Sequence, residues 1–265
     1  MDDEQTWFRH LHPEEEAQHR LVCFPHAGGS ASYFQPVARA LAPDIEVIAV
    51  QYPGRQDRRN EPGIDDIGVL ADHIHAIMRT WPCGPLTFFG HSMGAVIAFE
   101  VARRLRRDDP GWALHLFASG RRAPHLHRSE AVHLRDDAGI IAEVRSLGGT
   151  ESQLLQDPEL LEMILPALRS DYRAVERYRF VPDGPPPCSI TVLTGDRDPQ
   201  TTIDEAREWI RHSQDPFDLR VFRGGHFFLS DNDTAVSGVL SEHFTATGPN
   251  SRATPHRMGR VPPSR

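Results

Sequence analysis

The sequence predicts an α/β fold, a mainly parallel sheet with helices on both faces. Short apolar, β-rich runs alternate along most of the chain with longer runs of helical spacing. The short runs are apolar at consecutive positions, as in strands covered on both faces. With 265 residues, 39% apolar and 25% charged, the chain is long enough for one large domain with a buried core.

Each element has its own justification. Residues 20–25 read as the first strand and run into a Gly-rich turn. Residues 32–41 read as a helix, and 46–51 as a second strand ended by Tyr52-Pro53-Gly54. Residues 65–80 have helical spacing through Ile67, Leu70, Ile74 and Ile77. A third strand is expected at 85–90, a helix at 93–107 and a fourth strand at 113–120. Beyond these come a fifth strand at 189–195, a helix at 202–212 and a sixth strand at 219–222. Residues 121–180 break the alternation. They show no strand pattern but two helical segments, about 134–147 and 158–178. Asp157-Pro158 is a helix start, with Asp as N-cap and Pro at the first helical position. Pro166 is expected to kink or divide that helix. The insertion reads as a lid or as a packing excursion. Residues 246–265, rich in Pro, Arg, Ser and Gly, read as a disordered tail, which leaves 1–245 as a single domain.

The formal net charge of −8 argues against nucleic-acid binding. All 29 cationic residues are arginine, from which no mechanism is drawn. Cys23, Cys83 and Cys188 are odd in number and widely spaced, so they suggest neither a disulfide framework nor a zinc site. Cys23 reads as a small core residue. There is no secretory signal at the N-terminus and no apolar run long enough to span a membrane, so a cytoplasmic enzyme with no membrane partner is expected.

The strongest chemical signal is Gly90-His91-Ser92-Met93-Gly94. It follows the apolar run Leu86-Thr87-Phe88-Phe89 and opens a helix at Ala95. This is the strand-turn-helix setting of a nucleophile elbow and implies the α/β-hydrolase fold. The turn is so tight that flanking side chains would collide, which explains the glycines, and the helix N-terminus directs free N–H groups at the serine. A second signal is Phe24-Pro25-His26-Ala27-Gly28-Gly29-Ser30. Acyl transfer needs two N–H donors for the developing oxyanion. The Met93 amide, after the nucleophile, supplies one, and an amide of this early turn, Ala27, the other. A phosphate loop is the rival reading, but the chain contains no lysine. His26, Gly28 and Phe227 are candidate substrate contacts, and His26 also reads as a residue that shapes the turn.

An acid and a base must follow the serine in that order. Thr194-Gly195-Asp196-Arg197-Asp198-Pro199 offers two acids after a strand. Asp198, further into the loop, is the expected acid, and Asp196 the expected brace of the turn. His226, in Gly224-Gly225-His226-Phe227-Phe228, is the expected base. Ser92, Asp198 and His226 are thus the candidate catalytic triad. Among fifteen histidines, His73-x-His75 and His125-x-His127 have the spacing of metal ligands but no supporting carboxylate or cysteine, so no metal is expected. Arg103, Arg104, Arg106 and Arg107 read as the wet face of the helix behind the serine.

Taken together, Phe24-Pro25-His26-Ala27-Gly28-Gly29-Ser30, Tyr52-Pro53-Gly54-Arg55, Phe89-Gly90-His91-Ser92-Met93-Gly94-Ala95 and Gly224-Gly225-His226-Phe227-Phe228 resemble the type II thioesterases. These are the stand-alone editing enzymes of polyketide and non-ribosomal peptide synthesis. The resemblance spans about 20–244. It implies hydrolysis of acyl groups from the phosphopantetheine arm of an acyl carrier protein or peptidyl carrier domain, without a cofactor. It places the nucleophile at Ser92, the acid at Asp198, the base at His226 and the oxyanion donors at Ala27 and Met93. It also makes 121–180 a helical lid, whose Leu160, Leu161, Ile164 and Leu168 are expected to cover the acyl pocket. The rival functions are an acyltransferase or carboxylesterase on the same triad and a non-catalytic carrier-binding module. Carrier domains are acidic as a class, so docking is expected to use local arginines. Arg55, Arg58, Arg59, Arg121 and Arg122 are the candidates unless they are solvated or paired with Asp57, Glu61 and Glu130.

Overall fold

The computed structural model describes residues 3–13, 17, 19–148 and 158–247. The expected tail from residue 248 onward lies outside them, as do Asp157 and the side chain of Leu160. Seven strands form one sheet: β1 (Phe8–His10), β2 (His19–Phe24), β3 (Ile45–Val50), β4 (Pro85–His91), β5 (Ala113–Ser119), β6 (Ser189–Gly195) and β7 (Gln214–Phe222). Their order is β1-β3-β2-β4-β5-β6-β7. Only β1 is antiparallel, pairing with β3. This is the α/β-hydrolase fold, with the mainly parallel sheet expected.

The helices are α1 (Asp3–Trp7), α2 (Gln35–Leu41), α3 (Ile67–Met78), α4 (Met93–Asp108), α5 (Asp137–Leu147), α6 (Pro158–Arg177), α7 (Ile203–Arg207), α8 (Phe228–Asp231) and α9 (Asp233–Thr247). Alternate residues of β2 feed opposite faces of the sheet. Val22 and Phe24 join a core built with α3 and α4. Leu21 and Cys23 join a second core with α2 and α9. Periodicity did not reveal α1, β1, α8 or α9. The first three are too short to show a period. α9 opens on polar Asp233-Thr234 and buries only Val236, Ser237, Leu240 and Phe244. The helix expected at 202–212 is split into α7 and a 3-10 turn, Glu208–His212, and is started by a Thr202–Glu205 capping box. Pro166 lies inside α6 without ending it. A single proline removes one backbone hydrogen bond, and the turns on either side carry the helix through.

Strand order positions the site. β2 lies between β3 and β4, so the turns after β2 and β4 emerge side by side at the carboxyl ends of the strands, where such sheets bind ligands. Phe24 pairs with Gly90, and His91 with Ser119. The N-terminus of α4 is seated directly on the end of β2. A Cβ on Gly94 would lie 2.0 Å from the Phe24 carbonyl oxygen, and one on Gly90 would lie 2.4 Å from the Gly94 carbonyl oxygen. Both obstacles are backbone and cannot swing aside. Overpacking costs about 1–3 kcal/mol, and an obstacle made of backbone belongs at the upper end, about 3 kcal/mol, which for a chain of this size corresponds to a fall of roughly 6–12 °C in Tm. Gly94→Ala is therefore expected to lower Tm by about that margin in a thermal melt. A Tm within about 2 °C of the parent would show that α4 is free to back away from β2.

Candidate active site

Ser92 is the residue between β4 and α4. Its φ of 54° and ψ of −116° lie in a strained region for a non-glycine residue. The strain is held by the two close glycine approaches and by the Ser92 amide, which donates to the Ser119 carbonyl at 2.8 Å. The result is a serine side chain pushed out of the sheet edge. Its Oγ lies 3.0 Å from His226 Nε2. His226 Nδ1 lies 3.0 and 2.9 Å from the two Asp198 carboxylate oxygens. Both His226 and Asp198 are buried. One Asp198 oxygen also accepts the Gln200 amide at 2.8 Å, which orients the carboxylate.

Asp196 is placed differently. Its side chain points back into the turn and accepts the Gly224 amide at 2.8 Å, while its own amide donates to the Phe222 carbonyl at 2.8 Å. The Gly224 amide, with Arg197 nearby, holds its carboxyl below the usual carboxylate range. Asp196 thus ties the end of β6 to the turn that carries His226. The two acids differ because one faces the histidine and the other its supporting loop.

Ala27 and Met93 line the same cavity as Ser92 and His226. Among the described residues neither amide is taken by another acceptor. His26 and Phe227 also line it. The buried His26 ring packs edge-on against Tyr33 and Phe227, at 4.6 and 4.9 Å between centroids, so it shapes the turn as well as the wall. Gly28 is placed otherwise than expected. It does not line the cavity; its amide donates to Asp171 at 2.8 Å, and a Cβ there would strike Leu168 at 2.4 Å. His91 stands behind the serine, bonded to Ser119 Oγ at 3.0 Å. Burial, with His226 and His26 close by, holds it well below the usual histidine range, so it stays neutral.

The cavity is about 40 Å³, room for a water molecule or two. Its walls from the 121–180 segment are Arg121, Glu130, Val132, Val144, Tyr172 and Glu176 among others, a more polar set than expected. Leu168 is instead buried in a separate small core with Val132 and Ile140, against which Ile164 packs. Neither these two nor Leu161 lines the cavity. The reason is axial. Leu168, Tyr172 and Val175 lie four and seven residues apart and share one face of α6. The serine's cavity meets that face at Tyr172, Val175 and Glu176, while Leu168, a turn nearer the helix N-terminus, sits against α5 and the β2 turn. A larger groove of about 710 Å³ opens at the opposite edge of the sheet, along Pro85, Ala113, Ser189 and Gln214, where the strands begin. None of the triad residues borders it.

The arginines also differ from expectation. Arg58 pairs with Glu61 at 2.6 Å and lies over the Trp7 ring. Arg122 pairs with Glu130 at 2.6 Å and is only 2% exposed. Arg55 is buried and holds Asp171 on α6 through two contacts of 2.9 Å. Asp57 pairs with Arg9. Of the five candidates Arg59 is exposed and Arg121 partly so. Arg103 and Arg104 are half-buried and grip Glu100, which also accepts the Tyr178 hydroxyl at 2.7 Å, so there α4 forms an interface, while Arg107 is exposed as expected of a wet face. His73 stacks on Trp7, His75 pairs with Asp108 and His125 contacts His212.

A thioesterase-domain family model matches residues 19–244. The chain belongs to the thioesterase family. It is 52% identical to the probable cadicidin biosynthesis thioesterase of Streptomyces griseus over 91% of its own length and 66% of that relative. It is 47% identical to thioesterase PikA5 of Streptomyces venezuelae, covering 92% of this chain and 88% of PikA5. Among solved structures, BorB, the type II thioesterase of the borrelidin biosynthetic cluster, superimposes with a TM-score of 0.83 at 47% identity, over 89% of this chain and 97% of BorB. The thioesterases similar to this chain are thus biosynthetic enzymes, and the fold and family expected from the motifs are the ones found. Among the described residues no helix is long and apolar enough to cross a membrane.

The two acids supply a direct comparison. Asp198→Ala is expected to lower kcat for thioester hydrolysis by about a thousandfold or more, and Asp196→Ala, which loosens the His226 turn without removing the acid, to lower it far less. Steady-state kinetics on both variants decides it, and a larger loss in Asp196→Ala would reverse the assignment.

Proposed function

We propose that this thioesterase is a stand-alone editing hydrolase. It removes acyl groups from the phosphopantetheine arm of an acyl carrier protein or peptidyl carrier domain in the cytoplasm, through an acyl-serine. The observation that carries the reading is the continuous line from Ser92 Oγ through His226 to Asp198 at 3.0 and 2.9 Å.

In this mechanism His226 Nε2 takes the Ser92 hydroxyl proton as Oγ bonds to the thioester carbonyl carbon. The carbonyl π electrons move to oxygen, and the Ala27 and Met93 amides stabilise that oxyanion. Asp198 holds Nδ1–H and stabilises the imidazolium. The C–S bond then breaks, the sulfur leaves with the proton from His226, and the acyl group remains on Ser92. A water gives its proton to His226 and its oxygen to the acyl carbon. Collapse returns the proton to Ser92 and frees the acid. Each step is carried by these side chains and amides, so the sequence of bonds calls on no metal or organic cofactor.

A cavity of about 40 Å³ is far below the several hundred Å³ of a usual ligand pocket. The lid segment is therefore proposed to shift when the arm and its acyl group enter. Arg122 is spent on Glu130, so docking of the carrier is proposed to rest on other groups of the cavity rim.

Ser92→Ala is expected to lower hydrolysis of acyl-carrier thioesters by at least about a thousandfold with the fold intact by circular dichroism. Carrier-bound acetyl, propionyl and longer thioesters, with product analysis in water and in the presence of an alcohol or amine acceptor, test the class of reaction. Free acid as the main product supports the reading. Acyl transfer to the acceptor, or turnover of oxygen esters alone, would replace it with the acyltransferase or carboxylesterase reading.

A further inference from the structure

The turn from Pro25 to Gly29 carries the Ala27 amide. Within it the Gly29 amide donates to the His26 carbonyl at 2.9 Å. Further ties come from outside. The Tyr52 hydroxyl donates to the Pro25 carbonyl at 3.3 Å. An Arg55 guanidinium N–H donates to the Gly29 carbonyl at 3.3 Å. The Gly28 amide donates to Asp171 Oδ2 at 2.8 Å. Arg55 also donates from one nitrogen to both Asp171 oxygens at 2.9 Å and lies over the Tyr52 ring. Arg55 and Asp171 are 6% and 1% exposed, so water does not compete for these bonds.

We propose that Arg55 and Asp171 form a positioning clamp that holds the Ala27 amide in its oxyanion-binding place. Arg55 belongs to the Tyr52–Arg55 motif after β3, and Asp171 to α6 of the inserted segment. The clamp therefore makes donor geometry depend on the lid helix being seated. A guanidinium sets two directions at once, toward Asp171 and toward the Gly29 carbonyl, which a lysine cannot do from a fixed plane. The Asp171 carboxylate is acceptor-only, so the Gly28 amide must face it, and this turns the neighbouring Ala27 peptide. Leu168, packed on Gly28, keeps α6 close enough for the contact. Neither Arg55 nor Asp171 lines the serine's cavity, so both act through Ala27 and not on the substrate.

The inference rests on the reading of Ala27 as an oxyanion donor, and the test separates the two. The variants are Asp171→Asn, Arg55→Lys and the double variant, with Asp171→Glu as the conservative control. Each is assayed on an acyl thioester and on p-nitrophenyl acetate at a temperature well below its own Tm. Loss of an oxyanion donor costs about a hundredfold to a thousandfold, so misplacing one is expected to lower kcat by about tenfold to a hundredfold, with KM within about threefold. The same factor should appear on both substrates and as weaker inhibition by an alkyl boronic acid, which mimics the tetrahedral adduct. The double variant should lose no more than the worse single one, since the pair acts as a unit. Asp171→Glu should recover part of the loss, and the pH midpoint of kcat should stay where it is.

Unchanged kcat with a lowered Tm in these variants would overturn the clamp and leave a structural ion pair. A rise in KM alone, or fully additive losses, would overturn it too. If Asp171→Asn does not fold, Arg55→Lys, which keeps the charge, carries the same test. Loss of boronic acid sensitivity in the parent enzyme would instead sink the oxyanion reading. An ester-active parent that spares thioesters would sink only the proposed substrate.

Discussion

The site depends on one constraint, the absence of space between the start of α4 and the end of β2. Gly94 sits where any side chain would enter the Phe24 carbonyl, and Gly90 where one would enter the first turn of α4. That contact forces the chain through the strained Ser92 conformation. It also sets the N-terminus of α4 beside the turn after β2, so the Met93 and Ala27 amides share one cavity. The strain is sustained by buried surroundings: α4 lies against a core of Val22, Phe24, Phe88 and Leu116, and the elbow hangs from β5 through the Ser119 carbonyl.

Buried charge follows a common logic across the molecule. Arg55, Arg58 and Arg122 follow strands at the carboxyl edge of the sheet, and each closes on an acid or a carbonyl. An arginine can satisfy several acceptors from one fork, and it cannot shed its proton to escape burial. In a chain without lysine these forks fasten loops to the body. The surface pairs of similar length elsewhere, such as Arg207 with Asp204, are solvated and add little. Position in the fold, and not residue type, separates the two groups.

The two acids after β6 show how one loop divides its labour. Asp196 closes the β6 end onto the Gly224 amide, and Asp198 turns toward His226. The histidine turn is held by the first so that it can meet the second. The Gly195–Gly224 approach repeats the tightness of the elbow, since a Cβ on Gly195 would lie 2.5 Å from the Gly224 carbonyl oxygen. The proposed triad is therefore assembled from two glycine-lined close contacts, one on each side of the serine.

Local order along the chain was enough to determine the six parallel strands, the elbow and the proposed nucleophile and base. Residues 86–90 and 93–107 are each dictated by near neighbours, through periodicity and through glycines whose need is set within five residues. β6 is likewise readable from its own apolar run, and the helix after it from Thr202 and Glu205. Tertiary structure alone decided where along α6 the serine's cavity lies, so that Tyr172, one turn on along the same face, and not Leu168 borders it. It also decided that Arg55 meets Asp171, 116 positions away, and that Gly28 spends its amide there. The physical reason is that a helical period gives an apolar face but not the point along that face at which a partner meets it. Likewise an arginine's charge does not say whether it will be paired. Both are settled only when distant segments exclude water together.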